Sequence, residues 1–162
     1  MKKSVGFLAL SLMVAGCASK QEQPKQDNSD VKVVKSAVEG NEVNNALKEF
    51  NKFASNNEFY FDFDKSNVKD QKLVKNYVAK INNLEKASLN ISGYCDNKGS
   101  SEYNNALGMR RAVAVKEALV ANGMNKNVDV KLVSFGESKY TKYVSDITLN
   151  DSKNRKVVIV AE

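Results

Sequence analysis

Histidine is absent from the 162-residue chain. That removes Ser-His-Asp and Cys-His nucleophilic catalysis and every histidine metal site. Cysteine occurs only at Cys17 and Cys95, and proline only at Pro24. Long apolar runs are scarce too. The run over residues 5–14 is too short to cross a bilayer as a stable helix, and nothing after Cys17 resembles a second. Acidic residues are in mild deficit, giving a formal charge of +6. The excess is scattered lysine rather than the stripe or motif a nucleic-acid binder concentrates. Acidic cell-wall polymers and anionic lipid surfaces remain as weak partners. Asp62, Asp64 and Asp96 leave carboxylate-pair chemistry open, but nothing in their spacing demands it.

The N-terminus is organised for export. Lys2 and Lys3 precede the short apolar run, and Val14-Ala15-Gly16 sets small residues before Cys17. This has the form of a secretory signal over residues 1–16 that ends in a lipobox, with Cys17 acylated and made the new first residue. Acyl chains make the chain anchored rather than spanning, each buried methylene contributing about 0.8 kcal/mol. Ala18 and Ser19 carry no Asp, which by analogy favours the outer membrane, with the domain facing the periplasm. Cleavage removes Lys2 and Lys3 and takes the charge from +6 to +4. It also leaves Cys95 as the single thiol, so no intramolecular disulfide is available and stability must come from a packed core. Cys95 is expected to be partly buried and inert.

Periodicity orders the rest. Residues 17–41 are polar, hold the proline, and read as a flexible tether. Val43, Leu47, Phe50 and Phe53 recur at helical spacing, which predicts a short amphipathic helix from Glu42 to about Ala54, in a segment taken as 42–57. In EFYFDFDKS, Phe59, Phe61 and Phe63 alternate and are expected on one buried strand face. Leu73, Tyr77, Ile81 and Leu84 predict a helix with Asp70 in its first turn. SLNISGY is a second strand. A helix then runs from a Ser100 or Ser101 cap to about Asn122, closed by Gly123, with Ala112, Val115 and Leu119 buried. VDVKLVSFGE and RKVVIVA supply two more strands. Alternating strands and helices imply an α/β (α+β) sandwich with helices packed on a four-stranded mixed sheet.

The stretch GYCDNKGSSEYNNALGMRRA carries the chemistry. It sets Asp96 in a Gly-bounded turn at a strand end and Arg111 fifteen residues on, in the following helix. Three readings fit the spacing: a turn acid with a surface base, a structural salt bridge, or a pocket for a zwitterion. Asn104, Leu107 and Arg111 share one helical stripe, and helical side chains tilt toward the N-terminus, so Arg111 reaches back toward the turn.

These residues resemble the OmpA C-terminal-like domain family over about residues 58–162. FDFDKS resembles the family's F-x-F-D-K opening, and the long stretch its G-x-T-D-x-x-G-x-x-x-Y-N-x-x-L-x-x-R-R-A signature. SFGESK resembles Y-G-E-x-x-P, and NRKVVI the closing N-R-R-V. The ALGMRRAVAV wording is similar to the lipid-anchored members rather than the porin-linked ones. The resemblance implies a β-α-β-α-β-β fold that binds peptidoglycan noncovalently, through the diaminopimelate of its stem peptide, with no cofactor and no catalysis. It implies Asp64, Asp96, Asn104, Leu107 and Arg111 as binding positions. Asp96 would take the ligand ammonium and Arg111 a carboxylate, with a planar fork suited to it. It further implies Tol proteins and outer-membrane porin-type proteins as partners. An OmpA-like lipoprotein without Tol partners is the alternative. A cell-wall hydrolase or amidase would need a nucleophile or metal site that the missing histidines deny. The chain departs from the family at Cys95, where Thr is usual, at Tyr94 for His or Asn, at Lys156 for Arg, and at Ser138-Lys139, which lacks the nearby Pro.

Overall fold

A computed structural model describes residues 29–84, 86–141 and 147–162, with side chains described from residue 41 and, in the last stretch, from residue 151. The signal, Cys17 and residues 17–28 of the expected tether lie outside the described residues. The elements run α1 (Ser29–Ser55), β1 (Phe59–Tyr60), α2 (Gln71–Ile81), β2 (Ser88–Tyr94), α3 (Ser101–Ala121), β3 (Asp129–Gly136), α4 (Ile147–Asn154) and β4 (Lys156–Ala161).

Helix boundaries follow local chemistry. The Asp70 carboxylate accepts the Leu73 N–H at 2.8 Å and caps α2, one position before the first turn where it was expected. The Ser100 hydroxyl accepts the Tyr103 N–H at 3.2 Å and caps α3. Gly123, at φ +92°, lets the chain leave α3 in a conformation that side chains with a Cβ rarely adopt. Asn82 joins the far ends of both helices, donating to the Gly123 carbonyl at 3.0 Å and accepting the Asn125 N–H at 2.8 Å.

The four strands form one mixed sheet in the order β1-β4-β2-β3. β2 pairs parallel with β3 and antiparallel with β4, and β1 pairs antiparallel with β4. Alternation puts Leu89 and Ile91 of β2 and Val157, Ile159 and Ala161 of β4 into the core, together with Val74, Tyr77 and Ile81 of α2 and Ala112, Val115 and Leu119 of α3. α3 lies against β2 and β3 at close range, because a Cβ on Gly93 would stand 1.9 Å from the Gly108 carbonyl oxygen. Two glycines face to face thus set how deeply α3 sits on the sheet.

Three expectations change. α1 starts at Ser29, well before Glu42, so the second half of the segment read as tether is helical. β1 is only two residues long. Phe59 and Phe61 are buried, but the chain turns at Asp64 (φ +57°), and Phe63 is left 58 % exposed. Strict alternation cannot continue through a left-handed residue. The fourth helix, α4, went unforeseen because ITLNDSKN has almost no apolar periodicity.

α1 is part of the core rather than an appendage. Phe50 and Ala54 are buried, and Tyr77 of α2 is ringed by Phe50, Phe53 and Phe59 with centroids 6.0, 5.0 and 5.1 Å away. The Tyr77 hydroxyl donates to the Asn57 carbonyl at 2.8 Å, which fixes the exit from α1, and burial raises its pKa. Asn51 closes the edge of β4: its amide donates to the Ala161 carbonyl and accepts the Ala161 N–H, both at 2.8 Å.

Candidate functional site

The parallel β2–β3 pair ends where the 94–100 turn begins, and the start of α3 rises from that turn. Cys95 N–H still bonds the Gly136 carbonyl at 2.8 Å, which holds the turn to the end of β3. The next residue, Asp96, is only 3 % exposed. Burying a carboxylate is costly unless it is paired and hydrogen-bonded. Asp96 has both kinds of partner. Its Oδ2 lies 3.0 Å from Arg155 Nη1, and its Oδ1 accepts the Lys98 N–H at 3.3 Å. Arg155 is itself held by an Nε bond to the Phe61 carbonyl at 3.0 Å.

Arg111 is fully buried at 0 % exposure. It reaches back along α3, as the stripe required, and meets the turn. Nη1 donates to the Tyr94 carbonyl at 2.8 Å and to Cys95 Sγ at 3.3 Å. Nε donates to the Lys65 carbonyl at 2.9 Å and Nη2 to the Asp62 carbonyl at 3.2 Å. These bonds use four of the five N–H groups of a guanidinium. Arg111 therefore stitches three segments together: the loop after β1, the end of β2, and α3. Its ring-face contact with Phe61, 5.3 Å to the centroid, packs the remaining side. Burial pulls its pKa below the ordinary guanidinium value, and Cys95 and Asp96 offset part of that pull.

The other sequence-expected residues fall around this pair. Asn104 is buried, and its amide donates to the Asp96 carbonyl at 3.4 Å. The Cys95 thiol donates to the Asn104 carbonyl at 3.2 Å, so the thiol bridges α3 and Arg111. Burial pushes the Cys95 pKa up, which keeps it a neutral thiol. Leu107 is buried on the same stripe of α3. Asp64 stands exposed at the rim, in its left-handed conformation, and accepts the Tyr103 hydroxyl. That bond raises the Tyr103 pKa. Tyr103 is 43 % exposed.

The far wall comes from the C-terminal part of the chain. Lys98 Nζ pairs with the buried Asp151 of α4 at 2.9 Å, and this bond raises the Lys98 pKa. Asn154 fastens the segment after β3, accepting the Thr141 N–H at 2.9 Å and donating to the Thr141 carbonyl at 2.8 Å. Beside the start of α3, Glu137 has its pKa held down by the Ser101 hydroxyl and its own backbone N–H.

The arrangement is a buried carboxylate, a buried guanidinium and a half-buried second guanidinium under an acidic, aromatic rim. Asp96 and Arg111 do come together, but the guanidinium that pairs directly with Asp96 is Arg155. Arg155 is absent from the residues read as a site. Its signal was present in NRKVVI, since an arginine opening a strand beside the turn is a charge in need of a partner. Among the described residues no group of three or more candidate ligands is arranged to hold a metal ion, and no helix is long and apolar enough to cross a membrane.

Comparison with known proteins agrees with this fold. A family model described as the OmpA family matches residues 60–156. The peptidoglycan-associated lipoprotein of Brucella melitensis biotype 1 is 29 % identical over 155 residues, covering 94 % of this chain and 88 % of its own. The peptidoglycan-associated lipoprotein of Pasteurella multocida is 37 % identical over 105 residues, 64 % of this chain and 69 % of its own. The crystal structure of the peptidoglycan-associated lipoprotein from Burkholderia pseudomallei aligns with a TM-score of 0.59 at 32 % identity, covering 65 % of this chain and 90 % of that one.

Proposed function

This chain belongs to the OmpA family over residues 60–156, and from that premise we propose that it is a lipid-anchored, non-enzymatic protein that grips peptidoglycan and ties it to the outer membrane. The reading rests above all on the pairing of buried Asp96 with half-buried Arg155, with buried Arg111 beside them. A lone buried charge is expensive, yet this cluster carries two cations and one anion at the mouth of a turn. A ligand that brings both an ammonium and carboxylates answers that composition. Diaminopimelate, in the stem peptide of the wall, has that pattern.

In this reading Asp96 exchanges part of its bond to Arg155 for the ligand ammonium. Arg155, released, and the remaining Arg111 N–H face the carboxylates. Arg111 is chiefly the floor that fixes the turn, and Asp64 is the rim acid. Asn104 braces the Asp96 backbone. Relatives named for peptidoglycan support the wall as the target. The lipobox at Cys17 supports the membrane anchor. Tol proteins and porin-type proteins as partners are carried by the family resemblance alone.

Co-sedimentation of the chain with purified sacculi tests the proposal. The parent is expected in the pellet. Asp96→Asn and Arg111→Lys, shown folded by circular dichroism, are expected to stay in the supernatant, and no soluble muropeptides are expected to appear. Equal pelleting of all three would remove the cluster from the wall contact. Release of muropeptides would restore the hydrolase reading.

A further inference from the structure

Phe63 and Tyr103 are large rings that the fold leaves exposed. Phe63 is 58 % exposed and Tyr103 43 %; Phe63 directly precedes Asp64, whose backbone is left-handed, and the Tyr103 hydroxyl bonds the Asp64 carboxylate. An exposed aromatic pair beside a turn in an uncommon conformation is a combination that folding alone does not favour. The rings are also braced. Lys98 Nζ lies 5.7 Å from the Phe63 centroid, and the Arg110 guanidinium lies 5.5 Å from the Tyr103 centroid. The Tyr103 hydroxyl is fixed by its bond to Asp64. Both rings are thus exposed yet held by charged neighbours, with the exposed carboxylates of Asp64 and of Asp62, which pairs with Lys69, flanking Phe63 in the chain.

We propose that Phe63 and Tyr103 form a platform for a sugar ring of the wall glycan, so that the site reads glycan and stem peptide together. This rests on the wall-binding reading above. A pyranose is amphipathic: its axial C–H face packs on an aromatic ring, while its hydroxyls at the edge seek acceptors such as Asp62 and Asp64. Phe63 offers a ring with no polar group, so its contribution is that packing. A protein partner fits the patch less well. A stable protein interface buries upward of roughly 1,200 Å² around an apolar centre. Here the two rings are met by charged groups instead, Lys98 on Phe63 and Arg110 and Asp64 on Tyr103, all exposed.

Calorimetric titration with two probes tests this. One is an N-acetylglucosaminyl-N-acetylmuramyl tripeptide ending in diaminopimelate. The other is the same tripeptide without sugars. The parent is expected to bind the sugar-bearing probe about two- to tenfold more tightly, the range of one aromatic packing contact. Phe63→Ala is expected to abolish that preference while leaving the affinity for the bare tripeptide unchanged, and Phe63→Trp to retain it. Phe63 is exposed, so the variants are expected to fold, which circular dichroism checks. Equal affinity of the parent for both probes overturns the proposal. So does an equal loss for both probes in Phe63→Ala, which would place the ring against the peptide. Failure of the parent to bind either probe overturns the wall-binding reading itself.

Discussion

Cys95 shows how one atom holds two functional groups. Its thiol sits between the Asn104 carbonyl and Arg111 Nη1, at 3.2 and 3.3 Å, and the residue is 1 % exposed. The family's usual Thr offers a hydroxyl in that place, and the thiol donates and accepts in the same way, more weakly. Cys95→Ala takes the sulfur partner from a buried Arg111 N–H and is expected to cost about 1–3 kcal/mol in urea unfolding. Cys95→Ser is expected to cost less. The thiol also gives a pH signature. Burial raises its pKa in the folded chain, so the unfolded chain loses the proton first, from about pH 8.5. Stability from this group is intact below that pH and is lost as pH rises toward the folded pKa. The parent's urea midpoint is therefore expected to fall more between pH 7 and 10 than that of Cys95→Ser. A parallel fall in both would remove the thiol as its cause. Residue types were legible here and partners were not. Asp96 and Arg111 were found from the turn and the helical stripe. Their pairing was not, because only the sheet order brings Arg155 of the last segment to Asp96.

Among the elements, α3 positions the site, and its seat is the Gly93–Gly108 contact. A methyl on Gly93 would meet backbone at 1.9 Å, which no rotamer change relieves. Gly93→Ala is therefore expected to cost at least the ~1–3 kcal/mol of an overpacked core, and to lower wall binding by lifting Arg111 and Asn104 off the turn. Ser100→Ala removes only the cap of the same helix and is expected to cost about 1 kcal/mol with little effect on binding. Urea unfolding of both variants checks the ranking, and a larger loss in Ser100→Ala would contradict it. α2, α3, the C-terminal half of α1 and the three longer strands were readable from periodicity, since each buries one face against a neighbour. β1 was overread because three alternating phenylalanines look alike whether or not the backbone turns after the second. α4 escaped because its polar sequence is held by tertiary bonds from Asp151 and Asn154, which no local pattern displays.

At the scale of the whole molecule, α1 leads from the upstream part of the chain into the sheet domain. Its C-terminal half is packed on Tyr77 and bonded to the end of β4, so this part of the helix is built into the core. Phe50→Ala is expected to destabilise the entire domain by about 3–5 kcal/mol in one cooperative transition. A separate early transition confined to α1 would contradict that integration. The central claim concerns the site at the other end. The most direct test is a calorimetric comparison of two stem tripeptides, one ending in diaminopimelate and one in lysine, which lacks the second carboxylate. The two-guanidinium cluster predicts binding of the diaminopimelate peptide roughly tenfold or more tighter, the loss expected for one charge-assisted bond. Equal affinity for the two would contradict a site built on Asp96, Arg111 and Arg155.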